Sequence, residues 1–236
     1  MLEIHAIHGF LGLPADWNVF NFPRLHAYDL TDAAIIPSSD GLWGWAQRFN
    51  AHITSTNDIL LGYSLGGRLA LHALLENPAK WKAGIIISSH TGLQSEREKN
   101  ARIHADTDWA KRFETESWES VVGEWNDQPV FGGIASPFIR QENQFSRKHL
   151  GHLLRHCSCG YQDDLSVTLQ NIQLPILWIS GQLDIPYRTA AKALDFSHPL
   201  SRVEIVESAG HRVPWEQPEK FLKLTQSFIN EVLSCL

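Results

Sequence analysis

The chain has 236 residues, 43% of them hydrophobic, and a formal net charge of −6. That length suits one well-packed domain with room for an inserted subdomain. With no acidic or basic block, the chain offers no broad nucleic-acid or membrane surface.

The start, "MLEIHAIHGF", has neither the basic n-region nor the long apolar core of a signal peptide, and no apolar run approaches a membrane span. Short apolar runs recur at Leu2–Ile7, Leu25–Leu30, Ile59–Tyr63, Ala83–Ser88, Pro175–Ser180 and Val203–Val206. Several are apolar throughout rather than alternating, as expected of strands buried on both faces of a parallel sheet. Helical patterns lie between them, at Leu42–Ile53, Leu65–Leu75, Thr189–Phe196 and Glu216–Leu233. The alternation predicts an α/β doubly wound sheet.

Gly92 to Leu165 breaks the rhythm. This stretch carries charged, Trp-bearing helical patterns such as "SWESVVGEWND" and no strand-like run. About seventy residues is far longer than an ordinary crossover, so a helical cap over residues 93–165 is expected, on a core of residues 1–92 and 166–236. The three cysteines are Cys157, Cys159 and Cys235. A C-S-C pair is too close for a comfortable disulfide and lacks partners for a zinc site, which points to a reduced, cytoplasmic protein.

The chemistry is concentrated in "LLGYSLGGRLALHALL", Leu60 to Leu75. Gly62-Tyr63-Ser64-Leu65-Gly66 fits G-x-S-x-G. Those five residues alone are a weak signal, since a Gly-rich turn with Ser64 as an ordinary N-cap gives the same letters. The context is stronger: a buried strand precedes the motif and a helix follows it, as a nucleophile elbow requires. Glycines two residues to either side relieve the crowding of a sharp strand-to-helix turn. The turn also places the hydroxyl at a helix N-terminus, where N–H groups favour negative charge.

A serine hydroxyl needs an imidazole, and the imidazole needs an orienting carboxylate. Behind such an elbow the expected chain order is Ser, then Asp or Glu, then His. Asp184 follows the strand in "PILWISGQLDIPY", and His211 lies in the loop of "VEIVESAGHRVPWEQPEKF" before the last helix. Asp163, Asp164 and Asp195 lie less well relative to a strand end. The amides of Leu65, next to the serine, and Phe10, in the "AIHGFLG" loop after the first strand, are the candidate oxyanion hole.

With these residues in place the chain resembles the α/β-hydrolase superfamily over nearly its whole length. More narrowly, it is similar to the 2-succinyl-6-hydroxy-2,4-cyclohexadiene-1-carboxylate synthase family of menaquinone biosynthesis. The narrower resemblance rests on "HGFLGLPADW", "GYSLGGRLALHAL" and the cap segments "HTGLQSEREKNARIHADTDWAKRF" and "VVGEWNDQPVF". It implies an α/β-hydrolase fold with a helical cap inserted before the Asp-bearing strand. It also implies a lyase that eliminates pyruvate from 2-succinyl-5-enolpyruvyl-6-hydroxy-3-cyclohexene-1-carboxylate, using Ser64, His211 and Asp184 to remove a proton from carbon. No metal or other cofactor is implied. Tyr63, Arg102 and Trp125 match family substrate-binding positions, and either Arg140 or Arg147 matches a further arginine.

An anionic polycarboxylate substrate also suits the arginines of the cap, although any single one is more often a solvated surface charge. The sequence departs from the family at Thr91, Gln182 and Pro214. Two other readings compete: a carboxylester or thioester hydrolase working through an acyl-serine, and a ligand-binding receptor on the same fold. The oligomeric expectation is a monomer or a small homo-oligomer.

Overall fold

The computed structural model describes residues 2–32, 35–37 and 39–234; Cys235 lies outside the described residues. The apolar runs form β1 (Ile4–Ile7), β2 (Leu25–Tyr28), β3 (Asp58–Tyr63), β4 (Trp81–Ile87), β5 (Ile176–Gly181) and β6 (Arg202–Val206). They make a six-stranded sheet in the order β2-β1-β3-β4-β5-β6, with every neighbouring pair parallel. The unbroken runs are the inner strands: β1, β3 and β5 are buried at every residue, whereas the edge strands β2 and β6 are mostly half-buried.

Helices cover both faces. α1 (Gly41–His52) and α2 (Leu65–Glu76) bury Trp45, Phe49, Leu69 and Leu71 against one face, in a cluster with Leu60, Ile86 and Trp178. The other face holds Ile59, Leu61, Ile85 and Ile87 together with Phe221, Phe228 and Val232 of the C-terminal helix. The strand period of two sends alternate side chains to opposite layers.

Between β4 and β5 the chain forms α3 (Glu96–Thr115), α4 (Trp118–Asn126), α5 (Arg147–His156) and the short α6 (Ser166–Gln170), with no strand among the described residues. Ser95, Ser117 and Ser146 cap the first three, each accepting a hydrogen bond from an amide three residues on. These helices share a separate apolar cluster of Ala110, Phe113, Trp118, Val121, Leu150 and Leu154, closed from below by Leu11 of the loop after β1. Cys157 and Cys159 are buried free thiols.

Two helix boundaries differ from the sequence expectation. The helix expected at Thr189–Phe196 is α7 (Ile185–Lys192), starting directly after Asp184, with Pro186 in its first turn, where a missing N–H costs nothing. The helix expected at Glu216–Leu233 is divided into a short α8 (Val213–Glu216) and a long α9 (Pro218–Ser234), the latter again opening on a proline.

Candidate active site

Strand β3 ends at Tyr63 and α2 begins at Leu65, so Ser64 alone makes the turn. Its φ is 55°, in the left-handed region, and its ψ is −113°. Such a conformation is strained for a residue with a side chain. It is held by Ser64 N–H donating to the Ile87 carbonyl at 2.9 Å and by the Ser89 hydroxyl donating to the Ser64 carbonyl at 3.2 Å. The flanking glycines have steric causes. A Cβ on Gly62 would run into the Gly66 carbonyl, and one on Gly66 would run into the carbonyls of Ile7 and His8 on β1 and its loop. Both obstacles are backbone and cannot step aside.

His211 comes from the loop after β6, and Asp184 from the turn after β5. His211 Nε2 lies 2.9 Å from Ser64 Oγ, and His211 Nδ1 lies 2.6 Å from Asp184 Oδ2. Asp184 is fully buried, and its Oδ1 has no hydrogen-bond partner. All three residues therefore sit past the carboxyl ends of parallel strands, where open α/β sheets place ligands. The loop after β1 abuts the elbow: a Cβ on Gly9 would lie 3.2 Å from the Ser64 Cβ. Among the described residues, neither the Phe10 amide nor the Leu65 amide has a backbone acceptor, and both residues line the cavity in front of Ser64.

That cavity has a volume of about 510 Å³ and lies between the sheet and the helices α3 to α5. Tyr63, Arg102, Trp125 and Arg140 all line it. Tyr63 packs against the His211 ring at 5.5 Å, and burial pushes its hydroxyl well above the usual phenol range. Trp125 packs against Phe10 in a tilted arrangement, ring centres 4.6 Å apart. Arg102 Nε donates to Asp106 at 2.8 Å; burial works against its charge, but Asp106 together with Tyr187 and Cys159 outweighs that and holds its pKa above the guanidinium norm.

Arg140 forms a two-pronged pair with Asp16, at 2.9 and 2.6 Å, so its fork is already filled. Arg147 must be corrected. It does not line the cavity but donates to Glu142 at 2.7 Å and to the carbonyls of Phe113 and Glu116 at 3.0 and 2.6 Å, tying α5 to the end of α3.

Sequence reasoning missed two further lining arginines, Arg68 and Arg212. Arg68 is four residues after Ser64, one turn along α2, and donates to the Cys157 carbonyl. Its fixed offset from the nucleophile was a usable signal. Arg212 is the residue after His211. Among the described residues, neither has a carboxylate within ion-pair distance. Tyr187 of α7, also missed, packs on the His211 ring at 4.6 Å. The described lining offers no cluster of metal ligands; the one grouping of that kind among the described residues, Glu3 with His5 and Asp58, lies outside the cavity lining.

The parallel sheet, the strained serine elbow and the Ser–His–Asp chain of hydrogen bonds define a catalytic site of the α/β-hydrolase type. Comparison with known proteins agrees: a model described as "Alpha/beta hydrolase family" matches residues 6–224. A 2-succinyl-6-hydroxy-2,4-cyclohexadiene-1-carboxylate synthase from Enterobacter sp. (strain 638) is 30% identical over 227 residues, covering 90% of this chain and 85% of the relative. A protein of the same name from Pectobacterium atrosepticum is 29% identical, covering 72% and 68%. The solved structure of MenH from S. aureus superposes with a TM-score of 0.83 at 20% identity, covering 98% of this chain and 94% of that one. The chain belongs to the alpha/beta hydrolase family and, within it, to the 2-succinyl-6-hydroxy-2,4-cyclohexadiene-1-carboxylate synthases. None of its helices, among the described residues, is long and apolar enough to cross a membrane.

Proposed function

We propose that the chain is a carbon–oxygen lyase that eliminates pyruvate from 2-succinyl-5-enolpyruvyl-6-hydroxy-3-cyclohexene-1-carboxylate, with Ser64, His211 and Asp184 acting together as the base. The observation that carries this mechanism is Ser64 Oγ held 2.9 Å from His211 Nε2 at the floor of an arginine-lined cavity. The serine hydroxyl passes its proton to His211 Nε2 as its oxygen takes the ring proton next to the succinyl ketone. Asp184 orients the imidazole and balances its positive charge. The electron pair left on carbon delocalises onto the ketone oxygen, and the Phe10 and Leu65 amides meet that oxygen. The bond from the ring to the enolpyruvyl oxygen then breaks, and the departing group becomes pyruvate on taking up a proton. Water is not consumed, and no acyl-serine forms.

In this reading residues 93–165 are a cap on a core of residues 1–92 and 166–236. Arg102, Trp125, Tyr63 and Arg140 surround a small anionic polycarboxylate substrate. The protein works in the cytoplasm, without cofactor, nucleic acid or membrane partner, as a monomer or small homo-oligomer. The test is stoichiometry. Purified protein should release one pyruvate for each enolpyruvyl substrate consumed and show only feeble turnover of p-nitrophenyl esters. A hydrolase would show the reverse: an ester burst with a trappable acyl-Ser64, and no pyruvate.

A further inference from the structure

Four arginines line the cavity, and their charges are balanced unequally. Arg102 holds Asp106, and Arg140 holds Asp16. Arg68 spends a donor on a carbonyl. Arg212 differs from all three. It is buried, its Nη2 donates to Asn126 Oδ1 on α4, and its plane lies 3.7 Å over the Phe131 ring. Its Nη1 is buried and has no acceptor. The adjacent carboxylate, Glu216, is turned away onto the backbone amides of Gly210 and Arg212.

A guanidinium taken out of water with an unfilled donor and no counter-ion is expensive to maintain. Burial accordingly pulls its pKa below the usual guanidinium range. Asn126 and Phe131 nevertheless hold it rigid. Both belong to the stretch between β4 and β5, whereas Arg212 belongs to the loop that carries His211. An arginine in the cavity wall with its charge unmatched is complementary to a carboxylate.

We infer that Arg212, set in the cavity wall with its charge unmatched, is an anion anchor that binds one carboxylate of the substrate, one residue from the catalytic histidine, and so sets how the ring lies over Ser64. This subsite is additional to the one formed by Arg102, and it rests on the lyase reading above. Because Asn126 completes it from the cap side, the subsite exists only while cap and core are in contact.

The test measures binding with chemistry switched off. In a Ser64→Ala background, titration with the enolpyruvyl tricarboxylate followed by tryptophan fluorescence gives Kd directly. Adding Arg212→Gln should weaken binding about 30-fold or more, the lower end of what truncating one partner of a charged pair costs. Arg212→Lys keeps the charge without the fork and should recover only part of the loss. With Ser64 intact, both variants should raise KM more than they lower kcat. The ligand-free Arg212→Gln protein should melt no lower than its parent, since it sheds an unmatched buried charge.

Affinity within threefold of the parent for both variants, or a lowered melting temperature with unchanged affinity, would make Arg212 a structural strut and overturn the inference. If the Gln variant does not fold, undiminished affinity in the Lys variant has the same consequence. Wild-type protein that releases no pyruvate removes the lyase reading and this subsite with it. Wild-type turnover with undiminished affinity in Arg212→Gln removes the subsite alone.

Discussion

The pair of Arg140 and Asp16 fastens the stretch between β4 and β5 to the segment after β1, and its removal has a calculable cost. The two side chains are 8% and 7% exposed, and both prongs of the guanidinium are engaged. Asp16 also accepts the Leu13 amide at 2.9 Å, while its carbonyl accepts from Trp215 at 3.0 Å. On the other side the Arg140 carbonyl accepts from Trp118 at 2.8 Å, and its guanidinium lies over Phe138 at 4.2 Å. Arg140→Met keeps most of the packing and leaves the Asp16 charge buried without its partner. Breaking a buried pair in this way costs about 3–5 kcal/mol. For a chain of this size about 2–4 °C of melting temperature accompanies each kcal/mol, so a fall of about 6–20 °C is expected by differential scanning fluorimetry. Asp16→Asn should do comparable damage. The double variant Asp16→Asn/Arg140→Met should lose much less than the two single losses added together, because neither partner is then an isolated charge. A fall of only a degree or two in Arg140→Met, or strictly additive losses, would show that the pair is not the fastening described.

Asp184→Asn preserves shape at a fully buried position but disturbs the imidazole's tautomer. In pyruvate-release assays kcat should fall by about 10⁴, the scale seen when an orienting aspartate is neutralised in other triads, with KM little changed; a kcat near wild type would remove Asp184 from the triad. His72 is buried and holds the Arg68 carbonyl at 2.7 Å, and burial lowers its pKa to about 4 from 6.5. The unfolded chain therefore takes up this proton first, so stability should fall as pH drops below about 6.5 and level off on this account below about 4, by about 3 kcal/mol in all. Melting curves from pH 7 to 4 should be flatter for His72→Gln, and parallel curves would rule out His72 as the source.

The elbow and both of its partners were legible because their chemistry forces a chain order and a strand-to-loop context. Gly62 and Gly66 could be read for the same reason: the carbonyls that forbid a Cβ there belong to the elbow and to the strand beside it. The inner strands were legible from unbroken apolar runs. The starts of α7 and α9 were not placed, because prolines that look like breakers in sequence serve there as first-turn residues. The choice between Arg140 and Arg147 could not be made from spacing. Both sit among polar residues, and only the fold shows that one reaches the cavity while the other ties helix ends together. Arg212 was hidden for a different reason: its significance lies in an acceptor it lacks, and no local pattern records a missing partner.

The same three catalytic residues can attack a carbonyl or remove a proton from carbon, so the charge of the surrounding cavity matters more to the outcome than the triad's own geometry. Two of the lining arginines bring their own carboxylates, and two do not. A neutral ester entering this space would leave Arg68 and Arg212 as buried cations with no counter-ion among the described residues. A polycarboxylate supplies the missing negative charge and is tightly oriented by doing so. A site built around charged partners rejects ligands that lack them far more strongly than an apolar pocket rejects a misfit, because each unmatched buried group carries its full desolvation penalty. On the proposed function, selectivity for an anionic substrate and the expected discrimination against simple esters have one physical origin: positive charge placed in the wall before any substrate arrives.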